Sequence, residues 1–140
     1  MPLNNLDNNQ NLQNAGVAVI RIIAGVLVFY HGLEIFQPDI IKMYLEWEKI
    51  KALPSPVLMT YLGKLIELAA GACLALGLFT RTAALLIAVN MLFICFYVGN
   101  GKFYYEDQHP FLFALLAMIF FFKGPGSYAL EKVLFRKKLI

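Results

Sequence analysis

Apolar residues arrive in four long blocks. The first runs roughly Ala15–Phe36 and is broken by Arg21, His31 and Glu34. The second, roughly Val57–Phe79, is broken by Lys64 and Glu67. The third, roughly Thr82–Asn100, has no charge and only Asn90 as a polar residue near its middle. These three match the ~20 residues needed to cross ~30 Å of hydrocarbon. The fourth, Phe111–Phe122, has 12 residues, about 18 Å of helix at ~1.5 Å per residue. Pro110 at its first turn and a snorkelling Lys123 are expected to extend it into a span. The pattern predicts an all-α fold, a four-helix transmembrane bundle.

The segments between the blocks divide the chain into three parts. Residues 1–14 hold six Asn, two Gln and one Asp, too little apolar surface to fold alone, so a disordered polar tail is expected. No basic cluster precedes the first block and no Ala-x-Ala follows it, so it reads as a retained span. Residues 15–123 form the membrane domain. Residues 124–140 form a basic amphipathic segment: Gly124-Pro125-Gly126 breaks the fourth span, and Ser127 is placed to cap a last helix bearing Leu130, Val133 and Leu134. Lys132, Arg136, Lys137 and Lys138 beside them suit a lipid-headgroup anchor. Between spans one and two, Pro38–Leu53 reads as a short amphipathic helix on the outer surface. Ile40, Ile41, Tyr44 and Leu45 share one side, and Trp47 is expected near headgroup level.

Composition agrees with a bilayer. Of the 140 residues 60% are hydrophobic and 15% charged, with mean hydropathy +0.66, against roughly 45–50% and ~25% in soluble domains. A formal charge of +3 is too small to argue for nucleic acid. With four spans both termini share one side, with Arg81, Lys123, Lys132, Arg136, Lys137 and Lys138. The other side has Lys42, Lys49, Lys51 and Lys102 beside Asp39, Glu46, Glu48, Glu106 and Asp107. The excess of basic residues puts both termini in the cytoplasm.

Charges inside the spans carry the candidate chemistry. A charged side chain at mid-bilayer costs ~2.5–3.5 kcal/mol on insertion scales, so it faces protein or water and seeks a partner. At ~100° per residue, Arg21, Gly25, Val28 and Gly32 share a face of span one. Gly63, Glu67 and Gly71 follow at four-residue steps on span two. Small residues let helices approach closely in lipid, and an Arg21–Glu67 ion pair between the two glycine faces is expected. His31, Lys64, Asn90, Tyr97 and His109 fall in the outer half or near the middle of the membrane. With Arg21 and Glu67 they are candidates to line a polar pocket for a quinone-like or other polar-headed small molecule. Each also has a purely structural use, such as a carbonyl partner for His31 or a helix-bridging hydrogen bond for Asn90.

Other chemistry is disfavoured. Cys73 and Cys95 differ in depth by over ~10 Å, beyond disulfide reach, and there is no Cys-x-x-Cys. His31 and Glu34 make two metal ligands at best, so no metal site is expected. No Gly-rich phosphate loop occurs.

Three stretches together resemble the DoxX family of small four-span membrane proteins. They are Arg21 followed ten residues later by His31-Gly32, Tyr61-Leu62-Gly63-Lys64-Leu65-Ile66-Glu67 continuing to Ala75-Leu76-Gly77-Leu78-Phe79-Thr80-Arg81, and the closing Gly124-Pro125-Gly126-Ser127. Relatives often carry a lysine three residues after the His-Gly glycine; here Ile35 stands there, after Glu34. The resemblance implies a four-helix bundle in the cytoplasmic membrane and an association with quinone-linked redox chemistry, as a subunit beside a redox-enzyme partner. A non-enzymatic scaffold or assembly protein is the alternative expectation, and a small-solute permease a third.

Overall fold

The computed structural model describes residues 3–135, with side chains from residue 9 onward. Every regular element among them is helical. In chain order they are α1 (Leu3–Gly32), a 3₁₀ turn (Leu33–Phe36), α2 (Pro38–Leu45), α3 (Glu48–Lys51), α4 (Pro56–Leu76), α5 (Thr80–Phe93), a π-turn (Ile94–Val98), α6 (Gln108–Lys123) and α7 (Leu130–Phe135). Three stretches, Asn9–Phe36, Pro56–Leu76 and Thr80–Val98, are long and apolar enough to cross a membrane; α6 is apolar but shorter. Its 16 residues reach about 24 Å. The polar stretch expected to stay disordered instead continues α1 back to Leu3. Adding a residue to an existing helix forms a hydrogen bond without a new nucleation step, so even an Asn-rich run can extend a strong helix.

The long helices pack in the order α1, α4, α5, α6, each against the next, with α1 and α6 touching briefly. The glycine faces read from the sequence do meet across α1 and α4. A Cβ on Gly25 would lie against the backbone of Ala75, one on Gly32 against that of Leu68, and one on Gly71 against that of Phe29. The pairs follow one antiparallel register, in which residue i of α1 faces residue 100 − i of α4. Ala24, Val28, Ala70 and Leu74 are buried there, and Ala83, Ala84, Ile87, Ala88, Ala114, Ala117 and Phe120 fill the rest of the core. Small side chains dominate because close backbone approach, rather than hydrophobic burial, gains packing energy in lipid. Val19, Ile22, Ile23 and Val26 of α1 stay on the outside.

One end of the bundle is closed by the α4–α5 turn and the C-terminal segment. Gly77, at φ 69°, ends α4 in the left-handed region. Leu78 N–H reaches Cys73 O at 2.8 Å and Gly77 N–H reaches Leu74 O at 3.2 Å, the paired bonds of a Schellman ending. Phe79 is also left-handed, at φ 47°. Glu131 docks on this turn: its N–H donates to Gly77 O at 3.1 Å, and its Oε2 accepts Thr80 N–H at 2.9 Å. The last helix therefore grips the protein, with Ala129 buried just before it. It begins at Leu130 rather than at Ser127, and Arg136, Lys137 and Lys138 of the expected anchor lie outside the described residues.

At the other end, the segment expected as one outer helix is two. Trp47 is extended, at φ −67° and ψ 130°, and separates α2 from α3. Ile41, Ile50 and Leu53 are buried, and both short helices pack against α4. Trp47 packs edge-on against Tyr44, with ring centroids 5.0 Å apart.

Candidate functional site

The register of α1 on α4 decides which buried charges can meet. Arg21 is level with Phe79 and Glu67 with Leu33, twelve residues apart along α1, or about 18 Å. The expected Arg21–Glu67 ion pair therefore does not form. Depths counted from the ends of two apolar blocks carry an error of several residues each, and here the errors add. Arg21 is 1% exposed and turns to the end of α4. Its Nη1 donates to Leu74 O at 2.6 Å and Ala75 O at 3.1 Å, and its Nη2 donates to Tyr128 O at 2.7 Å. Those α4 carbonyls are at the negative end of the helix, where i+4 partners run out, so a cation there is favoured.

Glu67 is 3% exposed and finds its cation one turn away on α4. Lys64 Nζ sits 2.9 Å from Glu67 Oε2 and 2.8 Å from Glu34 Oε2, bridging the two carboxylates. Glu34 comes from the 3₁₀ turn that follows α1. Tyr44 of α2 donates its hydroxyl to Glu34 Oε2 at 2.6 Å, and its ring lies 4.9 Å under the Lys64 ammonium. The Tyr44 phenol is pushed up to about 12, mainly because burial disfavours the phenolate and also because it donates to Glu34. Asn90 of α5 completes the row, donating from Nδ2 to Glu67 Oε1 at 3.3 Å and to Gly63 O at 3.5 Å. Four elements thus contribute to one hydrogen-bonded cluster, Tyr44–Glu34–Lys64–Glu67–Asn90.

The cluster lies beside a cavity of about 400 Å³. Lys64, Glu67, Asn90, Tyr44 and Thr60 are its polar lining apart from the histidines, hereafter its floor. Leu86, Val89, Met91, Phe93, Ile94 and Val98 are among its apolar walls, and His31 and His109 also border it. The two imidazoles meet edge-on with centroids 5.8 Å apart, bringing α1 and α6 together. His31 Nδ1 is 3.6 Å from Glu34 Oε1, and the His31 side chain is 44% exposed.

Of the residues proposed from the sequence, His31, Lys64, Glu67, Asn90 and His109 are gathered around this cavity, while Arg21 and Tyr97 are not. Asn90 and Tyr97 would share a face of an unbroken α-helix. The π-turn, marked by the Gly99 N–H to Ile94 O bond at 2.7 Å, widens that turn and puts Ile94 and Val98 in phase with Asn90 instead. Tyr97 stacks on Phe93 outside the cavity, with centroids 5.1 Å apart. Sequence reasoning missed Glu34 and Tyr44 as members of the cluster. The signals were there: Glu34 stands three residues after His31, and Tyr44 is on the apolar side of an amphipathic segment. Cys73 and Cys95 are free thiols.

The DoxX family model matches residues 16–100, which include α1 from Gly16, the whole of α4 and the Asn90 helix. An uncharacterized protein of Haemophilus influenzae is 28% identical over 139 residues, covering 94% of this chain and 100% of its own length. No solved structure matches the chain.

Proposed function

The chain belongs to the DoxX family of membrane proteins, and on that premise we propose that its cavity holds the head group of a quinone-like amphiphile. In this reading the chain is a four-span membrane subunit of a quinone-linked redox complex, with α6 as the fourth span. Both termini lie in the cytoplasm, on the side where Arg81 and Lys132 stand.

One observation carries the proposal: a cavity of about 400 Å³ joins apolar walls to a single polar floor, with Lys64 clamped between Glu34 and Glu67. Binding sites for small molecules combine mostly apolar linings with a few well-placed polar groups. A ring with polar substituents and a long apolar tail matches that division. Ionisable groups within spans are costly to insert and cluster at ligand and proton pathways. His31 and His109 are the residues placed to hydrogen-bond a substituent at the edge of the cavity. Glu34 would orient His31, and Lys64 would hold Glu34 and Glu67 in place. The chain's own residues bind and orient the ring; a partner subunit supplies the electron carrier.

Mass spectrometry of small molecules released from the detergent-purified protein tests this. An isoprenoid quinone is expected in near-stoichiometric amount. It should fall at least tenfold in Glu67→Gln protein that keeps its helical content by circular dichroism. Recovery no higher than from an unrelated membrane protein purified in parallel would end the proposal.

A further inference from the structure

The cavity floor has its hydrogen-bond donors engaged and its acceptors open. Lys64 directs its ammonium at Glu34 Oε2, at Glu67 Oε2 and at the face of the Tyr44 ring. Tyr44 gives its proton to Glu34, and Thr60 gives its own to Pro56 O at 2.8 Å. The amide nitrogen of Asn90 is shared between Glu67 Oε1 and Gly63 O. Its orientation is fixed by chemistry, because turning the amide over would set its oxygen against a carboxylate oxygen and a carbonyl.

What remains are acceptors. Glu67 Oε1 receives only the long 3.3 Å bond from Asn90. Asn90 Oδ1 and the lone pairs of Thr60 Oγ1 receive no hydrogen bond from any described residue. With two carboxylates against one ammonium, the cluster also carries an excess of negative charge when all three are ionised. A carbonyl oxygen brought to this floor would meet acceptors and negative charge, whereas a hydroxyl would meet partners. Buried acceptors left without a donor carry a penalty, and a site built around hydrogen-bonding a hydroxyl strongly rejects the analogue lacking it.

We infer that the floor recognises a head group that donates hydrogen bonds, so that the cavity selects the reduced, hydroxyl-bearing form of its amphiphile over the carbonyl form. The inference rests on the reading of the cavity as an amphiphile site and adds which chemical form it prefers. Glu67 Oε1, Asn90 Oδ1 and Thr60 Oγ1 are the selecting atoms. The histidines can donate as well as accept, and Trp47, another lining residue, has an indole N–H that makes no hydrogen bond to any described residue, so the selection rests on the three acceptor atoms of the floor. A subunit with this preference would retain the hydroquinone that a quinone-reducing partner makes, or present it to an oxidase.

The test uses purified protein in detergent and two probes of matched shape, a decyl-hydroquinone and its dimethyl ether. Affinity is read from the ligand-dependent rise of the melting midpoint, followed by circular dichroism. The hydroquinone is expected to bind at least tenfold more tightly than the ether. A third probe, the corresponding decyl-benzoquinone with carbonyls in place of the hydroxyls, should rank with the ether. In Glu67→Gln and in Thr60→Val the preference should shrink several-fold, the ether's affinity changing less than the hydroquinone's. If the three probes bind equally to the unaltered protein, the inference fails while the cavity's role as an amphiphile site stands. If none binds, both fall together. The comparison among probes is made in the unaltered protein, so the test still decides the matter if a variant misfolds.

Discussion

Two cations of the α1–α4 pair, the buried Arg21 and the partly buried Lys64, are satisfied in opposite ways, and the contrast separates what holds this protein together from what it offers to a ligand. Arg21, at the α4–α5 turn, gives both terminal nitrogens to the main-chain carbonyls of Leu74, Ala75 and Tyr128, while its buried Nε has no partner among the described residues. Its planar fork suits several fixed acceptors at once. Nearby, Glu131 serves the start of α5 and Arg21 the end of α4, so both helix ends are closed by side chains of opposite sign, as the helix dipole favours. Gly77 has no room beside Arg21 Nη1 and Ala129. This end is packed shut.

Lys64 belongs to the other kind. Its partners are the side chains of Glu34 and Glu67, and Glu67 has an oxygen to spare beside a cavity. Gly63, the one glycine of the α4 face that opens toward Asn90, meets nothing closer than Asn90 Oδ1, at 3.5 Å from an added Cβ. A charge inside a span is therefore not by itself a sign of chemistry. A cation that caps a helix end completes the fold, and one held by carboxylates next to open space builds a site.

The contrast is sharpest under substitution of the two cations. Lys64→Met should be the more damaging, because it leaves two carboxylates facing each other with no counter-charge. Breaking a buried pair in this way costs about 3–5 kcal/mol. Both the melting midpoint and probe binding should fall, and adding Glu67→Gln should recover part of the stability. If the double variant is no more stable than Lys64→Met alone, Glu67 is not the partner that matters.

Arg21→Leu should cost about 3 kcal/mol through the Ala75 and Tyr128 carbonyls left without this donor. It should lower the melting midpoint and loosen the C-terminal segment, read as faster amide exchange at Ala129–Glu131, without changing the affinity for the hydroquinone probe. A loss of affinity comparable to that in Lys64→Met would erase the distinction between the two ends.

The smallest effect concerns Tyr44. Its phenol holds its proton up to about 12, above the ordinary ~10. A group whose proton is bound more tightly in the folded state contributes stability that is complete below about pH 10 and lost as the pH rises toward 12. Among the protein's seven tyrosines, an absorbance titration should therefore show a late step that disappears in Tyr44→Phe. That variant should also lose stability below pH 10 and converge on the unaltered protein as the pH passes about 12.

Much of the architecture follows from the pattern of residues along the chain. The apolar blocks locate the long helices because the length of a helix and the polarity of its side chains are local properties. The glycine faces of α1 and α4 were visible for the same reason: four-residue spacing puts small residues on one side whatever the neighbour is. The break at Gly124-Pro125-Gly126 could likewise be read from backbone preferences alone. Which residue of α1 stands opposite which residue of α4 was not local. It depends on where backbones interlock, at Gly25 against Ala75 and Gly32 against Leu68, and a shift of a few residues exchanges one charge partner for another. That register assigned Arg21 to a helix end and brought Glu34 to Lys64. The π-turn, invisible to spacing, replaced Tyr97 by Val98, and the folding of α2 onto α4 brought in Tyr44. Composition and periodicity thus determined that this chain makes membrane-length helices with buried charges, since each helix obeys its own sequence. Tertiary structure alone decided which charges meet, because pairing is set by the relative placement of helices whose individual patterns tolerate many registers.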